Sequence, residues 1–370
     1  MTAELHRRPN RLEINTASVV RRVGEVRQRV GDDVKIFAAL KADGYGFGTL
    51  AMARAALEGG ADALSLIDRA QALALREAGI EAPILVYAGA PIDEAAVAAA
   101  ARHKLILTVL GDAQLETVER HARGPVELAI KVEVGPERIG VLPTQLLDMA
   151  GRIARAPHLS LSVVNAHPTF RVEAPDSVVL EQFNRFVAAT DRLVGVGPTM
   201  PTRLFASSKV LGRLSGLELD AVDPGQYLYA DRFDLPIIHC LTSRLLQVRD
   251  VTRDFAPEHA PFDITKVRRI GVIPFGKVDG GGRCHGPAVL VRGRRAAIVG
   301  PPSLEYIRLD LSLIPDAADG DEVVLIGRQG GAAFTLDEIC THQNAMPSDI
   351  AMTIGPAVMR TWHTTTSRPA

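Results

Sequence analysis

The stretch Val34-Lys35-Ile36-Phe37-Ala38-Ala39-Leu40-Lys41-Ala42-Asp43-Gly44-Tyr45-Gly46-Phe47-Gly48 joins an apolar run, a lysine and a glycine-rich turn. Apolar residues from Val34 to Leu40 are nearly continuous rather than alternating, the signature of a strand buried on both faces. Gly44, Gly46 and Gly48 supply the freedom a tight turn needs, and an amphipathic stretch, Ala51–Glu58, follows. Outward from this unit the same theme recurs. Further strand candidates are Ala63–Leu66, Ile84–Tyr87, Leu105–Val109, Leu128–Val134, Leu161–Asn165, Thr202–Ala206 and Leu219–Val222. Between them lie helical patterns at Ala70–Glu77, Asp93–His103, Gln114–His121, Leu146–Ala156 and Leu180–Val194. Strands joined by helical crossovers run parallel, and eight such units predict a closed (β/α)8 TIM-type barrel over residues 12–231. After Asp231 the runs Ile270–Pro274, Ala288–Val291, Ala296–Val299, Ile307–Asp310 and Glu322–Ile326 are short and separated by Gly, Pro and Asp. They predict a C-terminal all-β domain over 232–370, joined by residues 1–11, with one helix near Thr335–Thr341 and a disordered tail from His363.

The chain has 370 residues, enough for two domains, and 42 Lys and Arg almost balance 43 Asp and Glu. That balance offers no basic face for a phosphate backbone, so neither nucleic acid nor an acidic membrane surface is an expected partner. No apolar run approaches the roughly 20 residues that span a bilayer. Met1–Asn10 lacks the apolar core of a signal peptide, and the three cysteines, Cys240, Cys284 and Cys340, form no CxxC pair. A cytoplasmic protein is expected. The ten histidines make no HxxxH or paired-ligand spacing, so no metal site is expected.

In a (β/α)8 barrel the working residues project from the C-terminal strand ends. Lys41 sits at such an end. Held partly out of water, its amine would be a nucleophile toward an aldehyde, although an isolated lysine there is more often an ordinary loop residue.

Ala39-Leu40-Lys41-Ala42-Asp43-Gly44-Tyr45-Gly46-Phe47-Gly48 resembles the cofactor-lysine motif of the alanine racemase family, approximately V-K-A-N-A-Y-G-H-G. The resemblance runs over most of the chain in the family's domain order. It implies a pyridoxal 5'-phosphate enzyme of fold type III, with the cofactor on Lys41 as a Schiff base and Tyr45 near its phosphate. Lys131-Val132-Glu133-Val134-Gly135-Pro136-Glu137-Arg138-Ile139-Gly140 resembles the K-x-D-T-G-M-G-R-L-G segment. Arg138 thereby inherits a hydrogen bond to the cofactor's phenolic oxygen. Lys131 matches a lysine that is carbamylated in many members, and an unmodified lysine paired with an acid remains equally open. His167 matches a histidine packed on the pyridine ring. Ala206-Ser207-Ser208 falls on the family's A-N-S, making Ser207 and Ser208 cofactor-binding candidates, and the backbone of Gly225 and Gln226 is placed for phosphate.

The chain also departs from the family pattern. Asp223-Pro224-Gly225-Gln226-Tyr227 puts an aspartate where the family has an arginine against the pyridine nitrogen, and looks like the E-P-G-R-Y segment of fold-related amino-acid decarboxylases. A carboxylate there favours the protonated ring, a stronger sink for a carbanion at Cα. In Phe275-Gly276-Lys277-Val278-Asp279-Gly280-Gly281, Lys277 replaces the tyrosine that serves as the second base across a dimer. Pro301-Pro302-Ser303-Leu304-Glu305 replaces R-V-S-M-D, and Pro356 falls where a phosphate-binding tyrosine is sought. Together these point to an amino-acid racemase or epimerase acting at Cα, other than a standard alanine racemase. Lys41 and Lys277 would be its bases, a small amino acid its substrate, and a homodimer would share its active sites. The alternatives are a one-faced decarboxylase, aldolase or lyase relying on Asp223, and a non-enzymatic pyridoxal-binding protein. The substrate side chain and the pathway are not readable from the sequence.

Overall fold

The computed structural model describes residues 8–135, 138–169, 175–229, 235–252, 262–263 and 265–364. The chain divides into two compact units, one comprising Val19–Gly44 and Gly48–Leu228, the other the residues up to Ser18, Tyr45–Phe47 and the chain from Tyr229 onward. In chain order, β1 (Arg11–Asn15) belongs to the second unit and the next eight strands to the first.

Those eight are β2 (Lys35–Ala39), β3 (Ala63–Leu66), β4 (Ile84–Val86), β5 (Leu105–Val109), β6 (Val126–Val132), β7 (Leu159–Ala166), β8 (Thr202–Ser207) and β9 (Ala221–Asp223). All pair in parallel, and β9 returns to β2 through Lys35↔Ala221 and Ile36↔Val222, which closes an eight-stranded barrel. Each strand sends one residue into a buried ring: Phe37, Ala63, Leu85, Ile106, Ala129, Val163, Leu204 and Ala221. Bulky and small side chains share this layer, so the interior is packed and the strand ends are left for chemistry. The connecting helices follow local chemistry. Asp68 caps Arg69–Glu77 by accepting from Ala70 N, and Asp93 caps Glu94–His103 by accepting from Ala96 N. Leu146, Met149, Ala150 and Ile153 put a buried stripe at helical spacing on Leu146–Arg155.

The second unit continues with β10 (Ile238–Arg244), β11 (Gln247–Asp250), β12 (Arg269–Ile273), β13 (Ala288–Val291), β14 (Arg294–Ala297), β15 (Ile307–Asp310), β16 (Glu322–Gln329), β17 (Ala332–Phe334) and β18 (Met359–His363). One sheet runs β14-β13-β16-β10-β1-β18, with β17 on β16, and a second runs β11-β12-β15. β14 starts two residues earlier than expected because Arg292 and Gly293, both at positive φ, make a two-residue hairpin turn. Two helices, Leu336–Gln343 and Pro347–Thr353, stand where the sequence suggested one, the first capped by a Thr335–Glu338 capping box. His363, expected to open a disordered tail, ends β18 in parallel register with β1; residues 365–370 lie outside the described residues. No helix among the described residues is long and apolar enough to cross a membrane.

Candidate functional site

At the C-terminal ends of the barrel strands lies a cleft of about 220 Å³ whose walls include Lys41, Tyr87, Lys131, Arg138, Asn165, His167, Ser207 and Asp223. Lys41 follows β2 and opens an unusual turn. Ala42, Asp43 and Gly44 all take left-handed backbone, at φ 51°, 54° and 62°. A left-handed residue with a side chain costs about 1–2 kcal/mol, so the turn must be held by its surroundings. Gly44 N donates to Leu40 O at 3.2 Å and Gly48 N to Asp43 O at 2.9 Å. The Asp43 carboxylate accepts from both the amide and the hydroxyl of Thr49, each at 2.9 Å. Such strain is characteristic of functional turns, and here it fixes where the Lys41 amine emerges.

That amine stands 3.8 Å from Asp223 Oδ2 and over the Tyr87 ring, 4.6 Å from its centre. Asp223, at the end of β9, is only 5% exposed. Its two oxygens are held separately: Ser65 Oγ donates to Oδ1 and Tyr87 Oη to Oδ2, both at 2.7 Å. Two hydroxyl donors, one on each oxygen, hold this buried carboxylate in a fixed orientation. Lys131 Nζ also stands over this tyrosine ring, 5.6 Å from its centre. Burial first, and then the neighbouring Lys41 charge, lower the Lys131 amine to about 8. His167, after β7, donates from Nδ1 to Pro168 O at 3.0 Å, which leaves Nε2 as the acceptor. Burial, followed by the Arg138 charge, lowers its pKa to about 4, so the ring is neutral near pH 7.

Arg138 lines the cleft just ahead of a segment that returns to β6. Val141 bridges Val132 in parallel, with Glu133 N donating to Val141 O and Val141 N to Lys131 O, each at 2.8 Å. Ser208 Oγ accepts from Gly225 N at 2.8 Å and from Tyr227 N at 3.2 Å, so the 207–208 and 223–227 segments are joined directly. The Gly225 amide, expected to face phosphate, is in this arrangement directed at Ser208.

Two expected residues belong to the other unit. Tyr45 packs on Tyr229 with ring centres 4.7 Å apart, while its neighbour Gly46 (φ 85°) presses against Ala351, where an added Cβ would fall 2.6 Å from the carbonyl oxygen. Lys277 is exposed on the turn Lys277–Asp279, its amide donating to Ser303 O at 3.0 Å. Asp279, which anchors the turn, is fully buried and paired with Arg8 at 2.9 Å.

Sequence reasoning missed Ser65, Tyr87 and Asn165. Tyr87 directly follows β4, so the strand-end rule that nominated Lys41 could have found it. Asn165 interrupts the apolar run of β7 and is 1% exposed, and neither side-chain amide atom has a partner among the described residues. A wider groove, about 360 Å³, exists in the second unit, but it is the barrel cleft that gathers Lys41, Lys131, His167 and Asp223 at the strand ends.

A closed eight-stranded parallel barrel with a C-terminal β-sheet domain is the architecture of the alanine racemases. Residues 14–232 match the family profile "Alanine racemase, N-terminal domain", and residues 239–362 match "Alanine racemase, C-terminal domain". The chain belongs to the alanine racemase family, whose members depend on pyridoxal phosphate. It is 28% identical to "Alanine racemase 2" of Caldanaerobacter subterraneus subsp. tengcongensis, across 95% of this chain and 94% of that protein. With the alanine racemase of Desulfosudis oleivorans it shares 30% identity, across 95% of each. Among solved structures, alanine racemase from E. faecalis superposes with a TM-score of 0.83 at 26% identity, covering 96% of this chain and 98% of that one. The Bacillus anthracis alanine racemase with bound L-Ala-P gives 0.83 at 26% identity, covering 97% and 96%.

Proposed function

We propose that this chain is a pyridoxal-phosphate-dependent racemase or epimerase of a small amino acid, acting at Cα as a homodimer and distinct from a standard alanine racemase. The observation that carries the reading is the Lys41 amine 3.8 Å from an Asp223 carboxylate held by Ser65 and Tyr87. The residues present fit the cofactor: the unpartnered, buried Asn165 amide lines the cleft beside that amine and needs a polar ligand to satisfy it. Lys41 would hold the cofactor aldehyde, Asp223 its ring nitrogen, Arg138 its phenolic oxygen, and His167 its ring face. Ser207, Ser208, Gln226 and Tyr45 would serve its phosphate, with the Gly225 amide bracing Ser208 Oγ. Bound there, pyridoxal phosphate supplies an electron sink that acidifies the Cα–H of an attached amino acid.

The chain's own groups do the rest. Lys41 takes or returns the Cα proton on one face. Lys277 of one subunit serves the opposite face in its partner, since inversion without a proton crossing the ring needs a base on each side. A one-faced reaction, decarboxylation or aldol cleavage, is the second reading, and the doubly anchored Asp223 favours it by strengthening the sink.

Borohydride reduction of the yellow holoenzyme, followed by tryptic mass spectrometry, should find the pyridoxyl mass on Lys41; an adduct only on Lys131, Lys209 or Lys277 would displace it. A panel of D- and L-amino acids incubated in deuterated water should then give both enantiomers with deuterium at Cα. Exchange from one enantiomer only, with release of CO₂ or an aldehyde, would replace the racemase reading with the one-faced one.

A further inference from the structure

Three potential metal ligands come together in the second unit, on a face the proposed chemistry does not use. Glu13 lies on β1, His239 on β10 and His363 on β18, and β1 is hydrogen-bonded to both of the others. Alternation decides which way each points. Leu12 and Ile14 are fully buried, so Glu13 between them faces away from the core. In the parallel β1–β18 ladder Glu13 pairs with Thr361 and Asn15 with His363, which puts His363 on the face of Glu13. His239 reaches that face by an irregularity. Between β1 and β10 the register slips, with Glu13 opposite Cys240 but Ile14 opposite Ile238. His239 is the extra residue of this bulge, and a bulge re-aims the side chain it carries.

One ligand atom from each of the three residues consequently lies within 4.8 Å of the others, and the two imidazoles meet edge to face with centres 4.9 Å apart. Bonds of about 2.0–2.1 Å in a tetrahedron need ligand atoms about 3.4 Å apart, a closure that modest side-chain rotation supplies. Two imidazoles and one carboxylate suit a borderline divalent cation, zinc above all. Glu13 and His239 also line the 360 Å³ groove, so a coordination position would face open space.

The geometry points to a Zn²⁺ site formed by Glu13, His239 and His363, with water or a small anion completing the shell from the groove. Its ligands span β10, β1 and β18, so bound metal cross-links an edge strand from the far end of the chain to the middle of the sheet. The expectation of no metal site rested on local spacing, which cannot register ligands brought together from positions 13, 239 and 363.

The test uses full-length, untagged protein cleared of metal with a chelator and titrated with ZnCl₂ by calorimetry. One Zn²⁺ per chain should bind and raise the thermal midpoint. His239→Ala and His363→Ala should each weaken binding by more than about 100-fold, the upper end of what second-shell losses produce, and should abolish the thermal gain. Cys240→Ser should keep both. Absence of binding, or undiminished binding by the His239→Ala/His363→Ala double variant, overturns the site. Should the alanine variants fail to fold, X-ray absorption on the wild-type zinc complex decides: two imidazoles and a carboxylate are expected, and sulfur in the first shell refutes the assignment.

Discussion

Tyr87→Phe removes one oxygen and little else, which makes it the sharpest probe of the barrel cleft. The phenylalanine ring still lies beneath the Lys41 amine, so the 4.6 Å cation–π contact survives. What is lost is a 2.7 Å hydrogen bond to Asp223 Oδ2, a carboxylate only 5% exposed. Hydrogen bonds to charged groups contribute about 1.5–3 kcal/mol. Because Ser65 still donates to Oδ1 at 2.7 Å, the lower end applies, about 1.5–2 kcal/mol. Urea unfolding should show that loss directly. If Asp223 must hold its orientation while charge develops on the cofactor, turnover should fall about 10- to 30-fold, at 1.36 kcal/mol per decade. Ser65→Ala should act similarly through the other oxygen. The double variant should cost more than the sum of the two, since each single variant leaves one donor to steady the carboxylate. A change below about 0.5 kcal/mol in unfolding, with turnover within about twofold of wild type, would falsify the view that Tyr87 anchors Asp223.

Lys131 predicts a pH signature. Its amine is lowered from 10.5 to about 8 in the fold, so between those values the unfolded chain binds more protons than the native one. Stability should rise with pH from about 8 to about 10.5, by on the order of 3 kcal/mol, and lose that gain as pH falls back toward 8. Lys131→Met should flatten the profile across this window in urea titrations; a parallel profile would refute the assignment. Lys277 should act in trans: mixing inactive Lys41→Ala with inactive Lys277→Ala should restore up to about one active site per heterodimer. Recovery of no activity from the mixture, with each parent folded and dimeric, would confine Lys277 to a role outside the partner's site.

The barrel was legible because its strands, buried on both faces, write themselves as unbroken apolar runs such as Leu105–Val109, whose limits coincide with β5. Ends were less legible where caps and turns decide them: Asp93 reads as helix but serves as a cap, and Arg292-Gly293 shifts β14. β1 and β18 escaped notice because each is a short strand whose meaning depends on a partner some 350 positions away. In the cleft, Lys41 was legible from its strand-end position and motif. The grip of Ser65 and Tyr87 on Asp223 was not, since it joins residues 158 and 136 positions apart, and barrel closure alone brings them together. Arg138 and His167 were found by resemblance, but the lowered pKa of His167 needed its burial and the nearby arginine charge to be seen.

The turn after Lys41 has a stereochemical consequence. Ala42 and Asp43 hold the backbone conformation that is the mirror image of the ordinary right-handed helix, and Tyr45 is again at positive φ, 58°. Residues of the opposite chirality prefer that conformation for the same steric reason that L-residues avoid it. The cost that makes this loop improbable as a free peptide is therefore a property of chirality rather than of shape. A chain assembled by chemical ligation with D-alanine at position 42 would keep the same path and relieve part of its strain. The lysine proposed to interconvert mirror-image amino acids is thus followed by backbone locally folded as its own mirror image.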